Sequence, residues 1–211
     1  GTDTFDYQYA ISFWLYLDAF PPSTTSSYTK IVPILSYGEN PTIKYSSTNN
    51  TLYITVKQKT DTNSIVDFIQ ETNNQNDPIQ WNATQSKITD AIENVKSMPF
   101  SNEIDADGHR IIYKHPDVKL QKWNHILLNY SGGTLDVFYN GQLVKSAIEV
   151  VPYMKFDMLT AGTQDGVSGN IANLMYFKQP LDILTINTLY MSLKDKNPPV
   201  ISTNNETLIS L

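Results

Sequence analysis

Alternation with a period of two governs the first part of the chain. From Tyr9 to Leu17 (YAISFWLYL), Tyr9, Ile11, Phe13, Leu15 and Leu17 fall on one face and Trp14 and Tyr16 on the other, so bulky groups occupy both sides. This predicts a strand covered on both faces. A polar loop, PPSTTSS, follows at 21–27, and KIVPILSY (30–37) predicts a second strand whose Pro33 marks an edge or a bulge, because proline has no N–H to give a ladder. Residues 42–45 and TLYITVK (51–57) predict two more, with Leu52, Ile54 and Val56 opposite Tyr53 and Thr55, and a turn at Asn49-Asn50.

The alternation then stops. Residues 58–109 are polar, irregular and rich in Asn and Asp, which predicts an insertion between the fourth and fifth strands. Inside it Ile88, Ala91, Ile92 and Val95 recur at helical spacing, with Ser86 as N-cap and Pro99 beyond the end, so one short amphipathic helix is expected. Strand patterning resumes at RIIYK. WNHILLNY (123–130), TLDVFY (134–139) and QLVKSA (142–147) alternate and are separated by Gly132-Gly133 and Asn140-Gly141. Both dipeptides suit two-residue hairpin turns with positive φ, and they predict a three-stranded antiparallel meander. Further strands are expected at MLTAG (158–162) and NIANLMYF (170–177), and PLDILTINTLYMSL (180–193) predicts a helix stopped by Pro198-Pro199. Residues 1–197 are thus expected to form one β-sandwich domain, with 198–211 as a tail, either a linker or a strand supplied to another molecule.

The marks YAISFWLYL, WNHILLNY, LDVFYNGQLV, GNIANLMYF and PLDILTINTLY together resemble the laminin-G-like, concanavalin A-like jelly roll of lectins and glucanases. They cover residues 5–193 apart from the insertion. The wording KSAIEVVPYM after the hairpin and NPPV after the helix is similar to versions encoded by large double-stranded DNA viruses in virion or surface proteins. The resemblance implies an all-β sandwich of two antiparallel sheets, a glycan or protein ligand, and, in some members, one Ca²⁺. One branch of that family hydrolyses β-glucans. A fold does not fix a function, because sites are grafted onto it by loops.

Composition narrows the partners. The net charge is −6 and the 15 Lys and Arg are scattered along the chain, so nothing predicts a nucleic-acid surface. With no cysteine, disulfides and thiolate metal sites are excluded. No run approaches the roughly 18 apolar residues of a membrane span, and an N-terminus lacking leader-like character, close to a strand, reads as a domain excised from a longer protein.

Four groups of residues carry candidate chemistry. Glu103, Asp105 and Asp107 (EIDAD) approach the E-I-D-x-E strand of the laminarinase-like glucanases, in which alternate residues on one strand face supply nucleophile and acid. Here Asp replaces the final Glu, and Asp107-Gly108 is a turn signal, so a solvated turn is the expected state. Asp105 and Asp107, with Asp165 in TQDGVSG, are the candidate oxygen ligands for Ca²⁺, although no dense acidic loop supplies the six to eight oxygens that ion takes. Among 13 Tyr and 3 Trp, Tyr7, Tyr16, Tyr37, Tyr45, Tyr53 and Trp81 are expected outside the core, and Trp81, Tyr37 and Asp165 are the residues assigned to ligand contact. His125, beside Trp123 in a strand, reads as structural, and Asn49, Asn82, Asn129 and Asn205 sit in glycosylation-acceptor patterns. The function these readings support is a non-catalytic recognition or structural module of a virion or extracellular surface protein, binding a glycan or a protein. The rivals are a β-glucan hydrolase using EIDAD and a pure assembly scaffold.

Overall fold

The computed structural model describes residues 8–21, 25–38, 40–57, 103–148, 150, 158–163 and 166–201, and the backbone of 208–210. The expected helix at 86–98, Trp81 and Asp165 lie outside the described residues. The strands are β1 (Tyr9–Leu17), β2 (Ile31–Tyr37), β3 (Thr42–Ser46), β4 (Thr51–Val56), β5 (Arg110–His115), β6 (Trp123–Ser131), β7 (Thr134–Tyr139), β8 (Gln142–Ala147), β9 (Leu159–Ala161), β10 (Gly169–Phe177) and β11 (Leu208–Ser210). Among the described residues two helices accompany them, α1 (Ser26–Thr29) and α2 (Ile183–Leu193). Every strand pairing is antiparallel, in a six-stranded sheet ordered β11-β10-β1-β6-β7-β8 and a five-stranded sheet ordered β5-β4-β3-β2-β9. The fold is an all-β jelly-roll sandwich.

The inner faces of the sheets pool one core. Ile11, Phe13 and Leu15 of β1 and Ile126 and Leu128 of β6 join Ile43, Leu52 and Ile54 of the other sheet, each at most 1% exposed. The second face of β1 has its own cover, for Trp14 packs with Ala172 of β10 and Leu193 of α2, while Leu127 and Phe138 pack with Ile186. Fully burying side chains of this size stabilises by roughly 1.5–3 kcal/mol each, so the helix is held mainly by its apolar stripe. Its start is pinned twice. Asp182 caps it by accepting from the Thr185 N–H at 2.8 Å, and Asn129 clamps the preceding residue, donating Nδ2–H to the Leu181 carbonyl and accepting the Leu181 N–H. Asn129 is therefore a buried clamp.

Local details follow from residue type. Pro33 sits in β2 between β3 and β9, and the register shifts between Pro33 and Leu35, so the proline occupies a bulge in an interior strand. Both expected hairpins form, with Gly132 and Gly133 at φ 57° and 84° and Asn140 and Gly141 at 49° and 78°. The loop at 21–27 contains the start of α1. Part of the tail, β11, pairs with β10 of the same chain, which answers the expectation of a linker or a donated strand with a strand kept at home.

Gly141 meets a second demand besides its positive φ. A Cβ there would lie 2.6 Å from Cδ1 of Tyr190 on α2, so the hairpin turn is also a seat for the helix. Gly141→Ala is expected to lower unfolding free energy by about 1–3 kcal/mol, measured by chemical denaturation, while Gly132→Ala, with open space around its Cβ, should cost less.

Candidate functional site

A concavity of about 570 Å³ opens where the end of β1, the start of β6 and the chain after α2 converge. Its aromatic side comes from strand register. Tyr16 is paired with Trp123 across β1 and β6, and the half-buried rings stand 5.2 Å apart at 54°. On the other side of β1, Asn170 is the register partner of Tyr16. The approach depends on Gly169, since a Cβ at that position would collide with the Tyr16 carbonyl oxygen.

A loop and a turn complete the walls. Residues 117–122 are held by the buried Asn124, whose Nδ2 donates to the carbonyls of Lys119 and Lys122 at 2.9 Å and whose Oδ1 accepts from the Tyr139 hydroxyl at 2.5 Å. Gln121, at φ 54°, donates its N–H to the Leu17 carbonyl at 2.7 Å, which brings Gln121 and Lys122 to the rim. On the opposite side Leu193 is locked into the Trp14 cluster, so Lys194, Lys196 and Asn197 follow at a fixed place. Asn197 Oδ1 accepts from Trp123 Nε1–H at 2.9 Å, which fixes the tilt of the indole. The groove thus offers two ring faces, amides from Gln121, Asn170 and Asn197, and exposed ammonium groups. That set can stack on a ring and hydrogen-bond hydroxyls around its edge.

The acidic run has a different fate. Ile104 makes only an isolated bridge to Arg110, and the chain turns through Asp107 and Gly108 (φ 79°) back into β5, so the three carboxylates do not share a strand face. Asp105 is not solvated as the turn signal implied. Its side chain is 3% exposed and takes an ion pair of 2.6 Å from Lys44, itself 4% exposed. Asp107 also meets Lys44, and Glu103 meets Lys114 at the surface. Burial pushes the Asp105 carboxyl up, but the hydrogen bonds from Lys44 and from the backbone of His109 and Asp107 outweigh it and hold the group below the usual carboxylate range. A general acid needs the opposite shift. Neither do these residues fit Ca²⁺, since an ammonium group already sits between Asp105 and Asp107, and no cluster of three or more His, Asp or Glu occurs among the described residues.

The remaining candidates are accounted for individually. Tyr37 is 3% exposed, packs edge-on against Tyr9 at 5.1 Å and donates its hydroxyl to Tyr176 at 3.0 Å, so it belongs to the core between the sheets and not to a rim. Tyr45 and Tyr53, also expected outside, are buried as well. His125 and Ser12 bond at 2.9 Å, but both are fully buried, and the imidazole lies under Trp14 and Tyr190. No reagent reaches that Ser–His pair. Of the groove residues, Tyr16 is expected outside the core from the sequence, whereas Trp123 is a mark of the fold and Pro198 is part of the Pro198-Pro199 helix stop. The available clue was an aromatic residue at each of two strand ends.

No protein-family model matches the chain, and no curated protein matches it. Solved structures do. A mutant of Trypanosoma rangeli sialidase displaying trans-sialidase activity aligns at a TM-score of 0.50 and 13% identity over 88% of this chain and 23% of that one. The receptor binding domain of botulinum neurotoxin type G aligns at 0.48 and 12%, over 87% and 38%. A native heptameric SAP-like pentraxin from Limulus polyphemus aligns at 0.44 and 14%, over 97% and 79%. The likeness is one of fold. The chain spans well under two thirds of the toxin domain and of the sialidase.

Two predictions follow from the buried polar groups. Burial pushes the His125 imidazolium down to about 4, below the unfolded value near 6.5, so as pH falls the unfolded chain takes up the proton first. His125 therefore contributes its full stability above about pH 6.5 and loses it progressively towards pH 4, a change on the order of 3 kcal/mol. His109 and His115, both lowered chiefly by burial, add in the same direction. Urea midpoints measured between pH 7 and 4 should fall accordingly, and His125→Gln should flatten most of the slope. For the ion pair, Asp105→Ala should destabilise by about 3 kcal/mol by leaving a buried ammonium only the exposed Asp107 as partner, whereas Asp107→Ala, at a 67% exposed side chain, should cost less than about 1 kcal/mol by the same measurement.

Proposed function

We propose that this chain is a saccharide-binding module whose ligand lies in the groove between Tyr16, Trp123 and the turn after α2. The observation that carries the reading is the pair of convergent, half-exposed rings beside three side-chain amides in a volume of about 570 Å³. That volume falls within the roughly 300–1,000 Å³ of small-ligand pockets. A pyranose presents flat C–H faces and a perimeter of hydroxyls. Flat rings satisfy the first, and amides, each with donors and an acceptor, satisfy the second. The indole is set in advance by the Asn197 hydrogen bond, so little side-chain freedom has to be lost on binding.

Among the described residues that line the groove, the ionisable groups are the Tyr16 phenol and three lysines, a set suited to holding a ligand. A place within a larger surface or virion protein belongs to the same proposal and is supported by the sequence resemblance.

Binding should be tested by glycan array and then by tryptophan fluorescence titration of the best saccharide. Trp123→Ala is expected to weaken affinity at least tenfold, with circular dichroism and melting temperature showing the sandwich intact. Trp123→Phe keeps a stacking face but lacks the N–H to Asn197, and should fall between. Saccharide binding that neither variant disturbs would overturn the assignment of this groove.

A further inference from the structure

The groove's charge points to a narrower ligand class than its rings do. Three ammonium groups line it, Lys122 from the loop before β6 and Lys194 and Lys196 from the turn after α2. They gather in a chain whose net charge is −6. Lys194 pairs at 2.8 Å with the exposed Asp195, and Lys122 and Lys196 have no ion pair among the described residues. A cation just after a helix is favoured by the partial negative charge of the helix C-terminus, which is a sufficient reason for Lys194 and bears on Lys196. It does not explain Lys122. That residue comes from a loop on the far side of Trp123, held there by the Asn124 bond to its own carbonyl.

Resting on the saccharide reading, we propose that the groove selects an anionic saccharide. A pyranose stacks on Tyr16 and Trp123, and its carboxylate or sulfate lies between Lys122 and Lys196. A neutral sugar would leave these like charges without a counter-charge in the groove, while an acidic one supplies it. Because the ammonium groups are exposed, the attraction operates in high dielectric and is screened by salt.

The probes are 3′-sialyllactose, which carries a carboxylate, a heparin hexasaccharide, which carries sulfates, and uncharged lactose and cellohexaose, titrated into the full chain at 50 and 500 mM NaCl. At low salt at least one acidic probe should bind tenfold or more tighter than either neutral probe, and high salt should weaken it at least fivefold. The double variant Lys122→Ala/Lys196→Ala should bring the acidic probe to the neutral level without changing the melting temperature. Binding of sialyllactose shows that a carboxylate suffices, whereas binding of heparin alone, which carries uronate carboxylates as well as sulfates, assigns the contact to sulfate. Neutral probes binding as well as acidic ones, with Trp123→Ala still abolishing both, would overturn the charge inference and leave the saccharide reading standing. Acidic binding indifferent to Trp123→Ala would put the anion elsewhere and overturn it too. Loss of all saccharide binding in every arm would sink both.

Discussion

The two-sided burial of β1 is the constraint on which the rest of the molecule depends. A strand at the middle of a sheet normally needs one oily face, yet Tyr9–Leu17 carries large groups on both. The inner face is satisfied by the opposing sheet, and the outer face by α2. That second requirement explains several otherwise separate features. Gly141 must lack a side chain so that Tyr190 can rest on the hairpin, Asn129 must turn its amide to the chain entering the helix, and Asp182 must cap it. Because Leu193 is the last anchor, the residues that follow emerge beside Tyr16 and Trp123 at a determined position. The groove is a by-product of covering the back of β1.

Most of the architecture was legible because it rests on local signals. Alternation located every strand but β11 within a residue or two, and the turn glycines fixed the meander. The helix was visible, but its cap came two residues later than the apolar run began, since Leu181 packs without being helical. Pairing partners are not local, and no short stretch of sequence encodes them. Tyr37 has the same composition around it as a rim tyrosine. Only the meeting of β2 with Tyr9 and Tyr176 buries it. Likewise Lys44 sits at an ordinary polar position of β3, and nothing near it in sequence announces that Asp105, far along the chain, will neutralise it.

The candidate site was legible in its parts and not in their union. Tyr16 was expected outside the core and Trp123 was recognised as a fold mark, but Lys122, Lys194 and Asn197 have no sequence signature, because each is placed by another residue's packing. Trp81 and Asp165 lie outside the described residues and stay expectations. The acidic run illustrates the reverse error, since three carboxylates at alternate positions have a catalytic spacing only if the chain stays extended. Gly108 at φ 79° ends that, and the lysines of β3 and β5 claim the charges.

The groove draws on residues 16, 121–123, 170 and 194–198, stretches that lie near both ends of the chain and in its middle. No excised peptide or half-sheet contains them together. Occupancy is therefore linked to the cooperative native state as a whole, so any bound molecule acts as a clasp on the entire sandwich, resisting detachment of the helix and fraying of the sheet at once.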